Sequence, residues 1–343
     1  MRTIFFSRVE FIYIFAIFIL SGLTFRALYM MHGDWKDLVD AAYGVTEGRP
    51  HWRAFQNRLL GPYLVLTIDW VLPTYKQSLL AFTAAGLLVQ NFVFYLLLRL
   101  QGIPRPPALF AACMWSYIFI VLQDYWLYTW DIVDIIVFTL VSYVILFSKE
   151  KEWLLLIYLI AILNREIALL IPIFYVIVVL SGVLFGNEKE RKKFKNYILL
   201  KIPSSIILMI VGIFYTKFSR DFLFIERPFG GMDNINLVIG NHIHILSNIK
   251  ILFFHNFVSP SIFHTLMVLL SILYLIFIMS KTKNFYINCS IVLYLVIILN
   301  IIIFGIINET RMYLPLISIF FLIFFARMME MGGIGQTGVV TRS

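Results

Sequence analysis

The chain has 343 residues, 61% of them hydrophobic and only 14% charged, with a mean hydropathy of +0.89. A soluble globular domain carries about 25% charged residues, so this composition excludes one. The net charge of +9 does not mark a nucleic-acid binder: the basic residues fall in short runs between apolar segments (Arg191, Lys192, Lys193 and Lys195; Lys281 and Lys283), as the positive-inside rule produces.

After Arg2 and Arg8 the first apolar run continues to Met31. It lacks a small-residue cleavage site and is too long for a signal h-region, so it reads as an uncleaved first helix. A span takes about 17–25 mostly apolar residues. The candidates are 9–30, 77–98, 108–123, 130–148, 153–164, 167–185, 198–217, 263–280, 287–307 and 312–326, which predicts an all-α polytopic membrane protein of about ten transmembrane helices. With the N-terminus in the cytoplasm, alternation places Arg99, Arg105, Lys149, Lys151, the 191–195 run, Lys281, Lys283 and Arg327 inside, as the rule requires. A second topology counts 58–74 as a span and joins 153–181 into one helix, but moves Arg99, Arg105, Lys149 and Lys151 outside. In the favoured arrangement 58–74 is interfacial or re-entrant. The helix 153–164, about 16 Å at 1.5 Å per residue, then stops partway through the bilayer, where non-helical backbone needs protein or a water-filled cavity around it.

Two long loops, 31–75 and 218–262, lie outside in this arrangement and are expected to bear interfacial helices. In the second, 235–254 carries Leu237, Val238, Leu246, Ile249, Leu252 and Phe253, interrupted by His242, His244 and Asn248. Residues 1–331 form a single membrane domain, and 332–343, mostly Gly, Thr and Val, a disordered tail. Cys113 and Cys289 stand in apolar runs, where they behave as small hydrophobes.

Polar side chains with chemical potential gather on the outer side. Asn164-Arg165-Glu166 interrupts one apolar stretch and Asn308-Glu309-Thr310-Arg311 follows another. An Arg or Asp at the centre of a membrane helix costs about 2.5–3.5 kcal/mol, so such breaks are functional-site candidates by default. Phosphate binding is one role for Arg165 and Arg311; the other is internal ion pairing, Arg165 with Glu309 or Arg311 with Glu166, which holds helices in register. Arg58, after Asn57 at the entrance to an apolar segment, suits bidentate binding of phosphate or diphosphate, or snorkels to the interface. Asp34 and Asp37 follow the first helix; Asp34 is placed to act as a general base toward an acceptor hydroxyl, or belongs to a solvated helix start. Asp131 and Asp134 share a helix face, which suits a divalent cation, sugar hydroxyls or a helix cap. The histidines lack the spacing of a metal-ligand set, and no nucleotide-binding glycine loop occurs.

The first outer loop resembles the GT-C superfamily of integral-membrane glycosyltransferases in Asp34, Trp35, Ala41-Ala42, Gly48 and Trp52, over roughly twenty residues. The resemblance implies a polyprenyl-phosphate-sugar donor, Asp34 as the acceptor-activating base, and Arg58, Arg165 and Arg311 as candidates for the lipid phosphate. The chain lacks the soluble C-terminal domain of oligosaccharyltransferase-type members, and Lys36 stands beside Asp37 where such enzymes often pair acids, which puts metal dependence in doubt.

The expected function is therefore transfer of a sugar from a polyprenyl-phosphate donor to a glycan, lipid or protein acceptor at the extracytoplasmic face of a cell (cytoplasmic) membrane. Asp34, Asp37 and Glu166 are the candidate catalytic residues. Asn57, Arg58, Asp131, Asn164, Arg165, Glu309 and Arg311 are the candidate substrate-binding residues. No metal ligand and no definite cofactor is assigned, a divalent cation being left open. The rivals are a polysaccharide polymerase of the O-antigen type and a transporter or flippase of lipid-linked or anionic cargo; the latter needs polar groups reaching the cytoplasmic half, where Asn91, Lys201 and Asn300 are among the few.

Overall fold

Hydropathy sets where the helices lie, and local chemistry sets where they stop. The computed structural model describes residues 8–32, 35–50, 55, 57–123, 127–185, 188–222, 245–250, 261–305 and 309–331. They form α1 (Arg8–Met31), α2 (Lys36–Thr46), α3 (Leu60–Asp69), α4 (Tyr75–Leu100), α5 (Arg105–Val121), α6 (Thr129–Phe147) and α7 (Trp153–Ala161). A 3-10 turn at Glu166–Leu169 leads into α8 (Leu170–Phe185), followed by α9 (Glu188–Phe222), α10 (Ile245–Lys250), α11 (Ser261–Lys281) and α12 (Phe285–Phe304). A second 3-10 turn, Thr310–Tyr313, opens α13 (Leu314–Met331). No strand occurs among the described residues.

The Thr74 hydroxyl accepts the Gln77 N–H at the start of α4, and Asn284 accepts the Tyr286 N–H at the start of α12. Beyond α4, Gly102 takes a φ of 84°, a left-handed conformation that glycine adopts without a Cβ penalty. Pro106 and Pro107 stand in the first turn of α5, where a missing N–H costs nothing.

Seven stretches of helix among the described residues are long and apolar enough to cross a membrane: Arg8–Met31, Tyr75–Leu100, Thr129–Phe147, Glu166–Leu184, Lys201–Ser219, Phe285–Phe304 and Thr310–Met331. Three further apolar helices are shorter: Leu60–Asp69, Arg105–Val121 and Leu266–Lys281. Seven of the ten expected spans thus reach spanning length; at 108–123 and 263–280 the helices are shorter, and at 153–164 the helix has nine residues. Residues 153–181 are not one continuous helix, because α7 ends at Ala161 and an extended Arg165 precedes the turn into α8. The 58–74 segment yields a ten-residue helix, about 15 Å long, too short to cross alone. Of the expected interfacial helix 235–254 only Ile245–Lys250 is described, as a helix; the tail 332–343 lies outside the described residues.

Buried polar side chains bind the central helices to one another. Gln90 donates to Thr139 and Ser318 at 3.0 Å, Trp115 donates to Ser318 at 2.9 Å, and Asn91 links Ser21 and Ser116 at 3.1 Å each. In apolar surroundings each such bond contributes about 0.6–2 kcal/mol and fixes helix rotation. Gly86 lets α4 approach α6 closely, since a Cβ there would lie 2.3 Å from the Ile132 Cγ2.

One end of the bundle is basic. The buried Glu10 carboxylate receives Arg105 at 2.6 Å, Arg99 at 3.3 Å and the Tyr95 hydroxyl at 2.8 Å, joining the start of α1 to the end of α4 and the start of α5. Gln101 reaches Tyr143 at 2.9 Å, and Lys151 donates to the Val144 and Ile145 carbonyls at 2.9 and 2.8 Å, closing the last turn of α6. Lys151 also lies 4.1 Å from the Tyr286 ring centroid, and Thr282 bonds to Glu330, which pairs with Arg327. The arginines and lysines of the short loops therefore stand together.

Candidate functional site: a buried arginine–carboxylate centre

At the other end four segments converge: residues 57–60 before α3, the start of α6, the bend at 162–165 after α7, and the turn Thr310–Tyr313 before α13. The bend forms because α7 runs out at Ala161, whose carbonyl accepts both the Asn164 and Arg165 N–H groups at 2.9 and 3.1 Å. Leu163 then offers its carbonyl to the N–H groups of Leu59 and Leu60, at 2.9 and 3.0 Å, tying the segment before α3 to the end of α7. Gly61 allows α3 to abut α6, since a Cβ there would lie 2.8 Å from the Thr129 carbonyl carbon.

Two carboxylates stand at the middle of this meeting point. Asp131 and Asp134, 3% and 4% exposed, project from the first turns of α6. Arg165 Nη1 lies 3.1 Å from Asp134 Oδ2 and 3.3 Å from Asp131 Oδ1. Arg311 Nη1 lies 3.6 Å from Asp131 Oδ2, and its Nη2 lies 2.8 Å from Glu309 Oε2. Asp131 Oδ2 also accepts the Tyr128 N–H at 3.0 Å, so this carboxylate caps its helix and bridges two arginines at once. Asn164, fully buried, donates to Asp134 Oδ1 and to the Trp130 carbonyl, both at 2.8 Å.

Arg58 completes the set differently. Its guanidinium carbon lies 4.8 Å from the Trp130 ring centroid and 5.2 Å from that of Phe55, with no carboxylate in ion-pair range among the described residues. Arg311 likewise lies 4.6 Å from the Tyr128 ring, and Tyr128 stacks on Trp130 at 4.6 Å and 18°. Burial, and then the charge of Arg165, pull the Arg58 guanidinium down to about 9; Glu166 and Asp131 push the other way from a distance. A cation so placed is under-compensated, and an arriving anion relieves it.

The two polar breaks thus do meet, with different partners from those expected. Arg165 pairs with Asp131 and Asp134 and not with Glu309; Arg311 pairs with Asp131 and Glu309 and not with Glu166. The reason is depth and azimuth: Asp131 and Asp134, three residues apart on one face of α6, lie between the two breaks. Asn57 is buried beside Arg58, Glu166 opens the turn after Arg165, and Asp37 stands exposed on α2. Asp34 and Asn308 lie outside the described residues, as do His51, Trp52 and Asp124. Tyr128 and Trp130 are additions to the expected residues, while Asp134, expected beside Asp131, meets Arg165 and Asn164. Their signal was a run from Asp124 to Asp134 that alternates acids with Tyr and Trp just ahead of an apolar stretch.

Among the described residues no group of three or more His, Cys, Asp or Glu side chains is placed to hold a metal ion. An apolar cavity of about 270 Å³ opens between α5, α11, α12 and α13, lined by Leu122, Met267, Tyr294, Leu316 and Phe320 among others. Tyr313, on the same 3-10 turn as Arg311, also lines it. Fold and site together define a polytopic helical membrane protein with a buried arginine–carboxylate centre at the end of the bundle opposite its basic loops. No protein-family model, curated protein or solved structure matches the chain.

Proposed function

We propose that the protein is a membrane glycosyltransferase that takes a sugar from a polyprenyl-phosphate donor, with the arginine centre receiving the lipid phosphate. Arg58 carries this reading: it is a cation in the centre that meets aromatic faces and, among the described residues, no carboxylate in ion-pair range. Arg165 and Arg311 are held in place by Asp131, Asp134 and Glu309, three carboxylates for two guanidiniums, which leaves Arg58 as the cation that receives the phosphate. The apolar cavity beginning at Tyr313 suits the lipid tail. The basic loops gather at the far end, so the positive-inside rule turns the centre away from the cytoplasm.

In this reaction Asp34 takes the proton of the acceptor hydroxyl, whose oxygen attacks the anomeric carbon of the donor sugar. The bond from that carbon to the phosphate oxygen breaks, and the lipid phosphate departs with the electron pair. Arg58 stabilises the developing charge. Against a flippase stands the membrane interior, where Gln90, Asn91, Thr139 and Ser116 bond to one another instead of facing a polar path.

The test is transfer by the purified chain from a panel of radiolabelled polyprenyl-phosphate hexoses and pentoses to membrane lipid and glycan acceptors. Transfer by the wild type and none by Asp34→Asn at equal expression is the expected result. No transfer from any donor would overturn the assignment, and wild-type turnover by Asp34→Asn would overturn the role of the base.

A further inference from the structure

Around the arginines lies a set of buried polar atoms without hydrogen-bond partners among the described residues: both amide atoms of Asn57, Thr129 Oγ1, Asn164 Oδ1, Thr310 Oγ1 and the Nε atoms of Arg58 and Arg311. Each belongs to a residue of the centre or to its chain neighbour. Asn57 is the extreme case, with no exposed surface and neither its donor nor its acceptor engaged. An unsatisfied buried group costs about 1–3 kcal/mol, and an amide offers two donor hydrogens beside an acceptor oxygen.

We infer that Asn57, with the free carbonyl oxygen of Asn164, forms a subsite for adjacent free hydroxyls of a neutral sugar held next to the phosphate on Arg58. The inference rests on the glycosyl-donor reading above and adds to it which residues read the sugar. A vicinal diol presents one hydroxyl to receive the amide N–H and another to donate to the amide oxygen, so one Asn satisfies both. A 2-acetamido group matches less well, because its N–H and carbonyl point to opposite sides of a trans amide. The position of Asn57 is fixed by the backbone bonds of Leu59 and Leu60 to Leu163, which keep it in register with Asn164.

The experiment measures binding of farnesyl phosphate, of its glucosyl, mannosyl, galactosyl and arabinosyl esters, and of its N-acetylglucosaminyl ester to the full chain in nanodiscs. The wild type should bind at least one neutral-sugar ester about tenfold more tightly than farnesyl phosphate or the N-acetylglucosaminyl ester, one or two hydrogen bonds' worth. Asn57→Leu should lose that increment, bind farnesyl phosphate within about twofold of wild type, and melt no lower than wild type, because it removes an unsatisfied group. If no neutral-sugar ester outbinds farnesyl phosphate, or Asn57→Leu keeps the increment, the subsite is overturned while the phosphate site stands. If neither farnesyl phosphate nor any ester binds, the donor reading falls and the subsite with it.

Discussion

Arg58 sets its guanidinium 4.8 Å from the centroid of the Trp130 ring and meets no carboxylate among the described residues. A contact of this kind contributes about 0.5–2 kcal/mol, less than the cost of burying the charge. Arg58→Leu is therefore expected to leave the melting temperature unchanged or raised, while farnesyl phosphate binding falls by tenfold or more. Thermal unfolding and a binding titration on the same preparation separate the two effects; a large drop in melting temperature with binding retained would make Arg58 a structural residue.

Asp131 should behave in the opposite way. It bridges Arg165 and Arg311, so Asp131→Asn leaves both cations short of charge in a dry environment. Breaking a buried pair by removing one partner costs about 3–5 kcal/mol. A marked fall in unfolding temperature in detergent is expected, with coupling to Arg165→Met in a double-mutant cycle. An unchanged melt would mean that the carboxylate is not holding the centre together.

Gly61→Ala tests the seating of α3. The added methyl meets the Thr129 backbone at 2.8 Å, and backbone cannot swing aside as a side-chain tip can. Overpacking of this sort costs about 1–3 kcal/mol and should displace Arg58 and Trp130 relative to each other, weakening phosphate binding as well as stability. Gly22→Ala in α1 is the control: nothing lies within 4 Å of the new carbon, so neither property should fall.

The disposition of the ends predicts labelling. Cysteines introduced at Asp37 and Glu309 should react with an impermeant maleimide from one side of sealed vesicles, and those at Lys149 and Lys283 only from the other. Labelling of all four from one side would break the alternation on which the outer assignment rests.

Much of the helix plan could be read from the chain because burial in lipid demands long apolar runs, and Arg165 and Arg311 stood out because ionisable groups at such depth are costly. What the sequence did not carry was pairing. Arg99 and Arg105 read as ordinary loop cations, and only the packing of α1 against α4 and α5 brings them onto Glu10. Likewise Asp131 was legible as a helix start, but its second role depends on where α7 stops and where α13 begins, which no local pattern encodes. Aromatic residues near an interface are too common to have singled out Trp130 and Tyr128 as the plates beneath two arginines.

The two N–H groups of Leu59 and Leu60 that share the Leu163 carbonyl have a consequence for biogenesis. Leu163 leaves the ribosome long after Leu59, so these two backbone bonds close only once α7 has been made. A chain interrupted before α7 would carry every residue of the first loop and still lack both the carbonyl that anchors Leu59 and Leu60 and the Arg165 that pairs with Asp131 and Asp134.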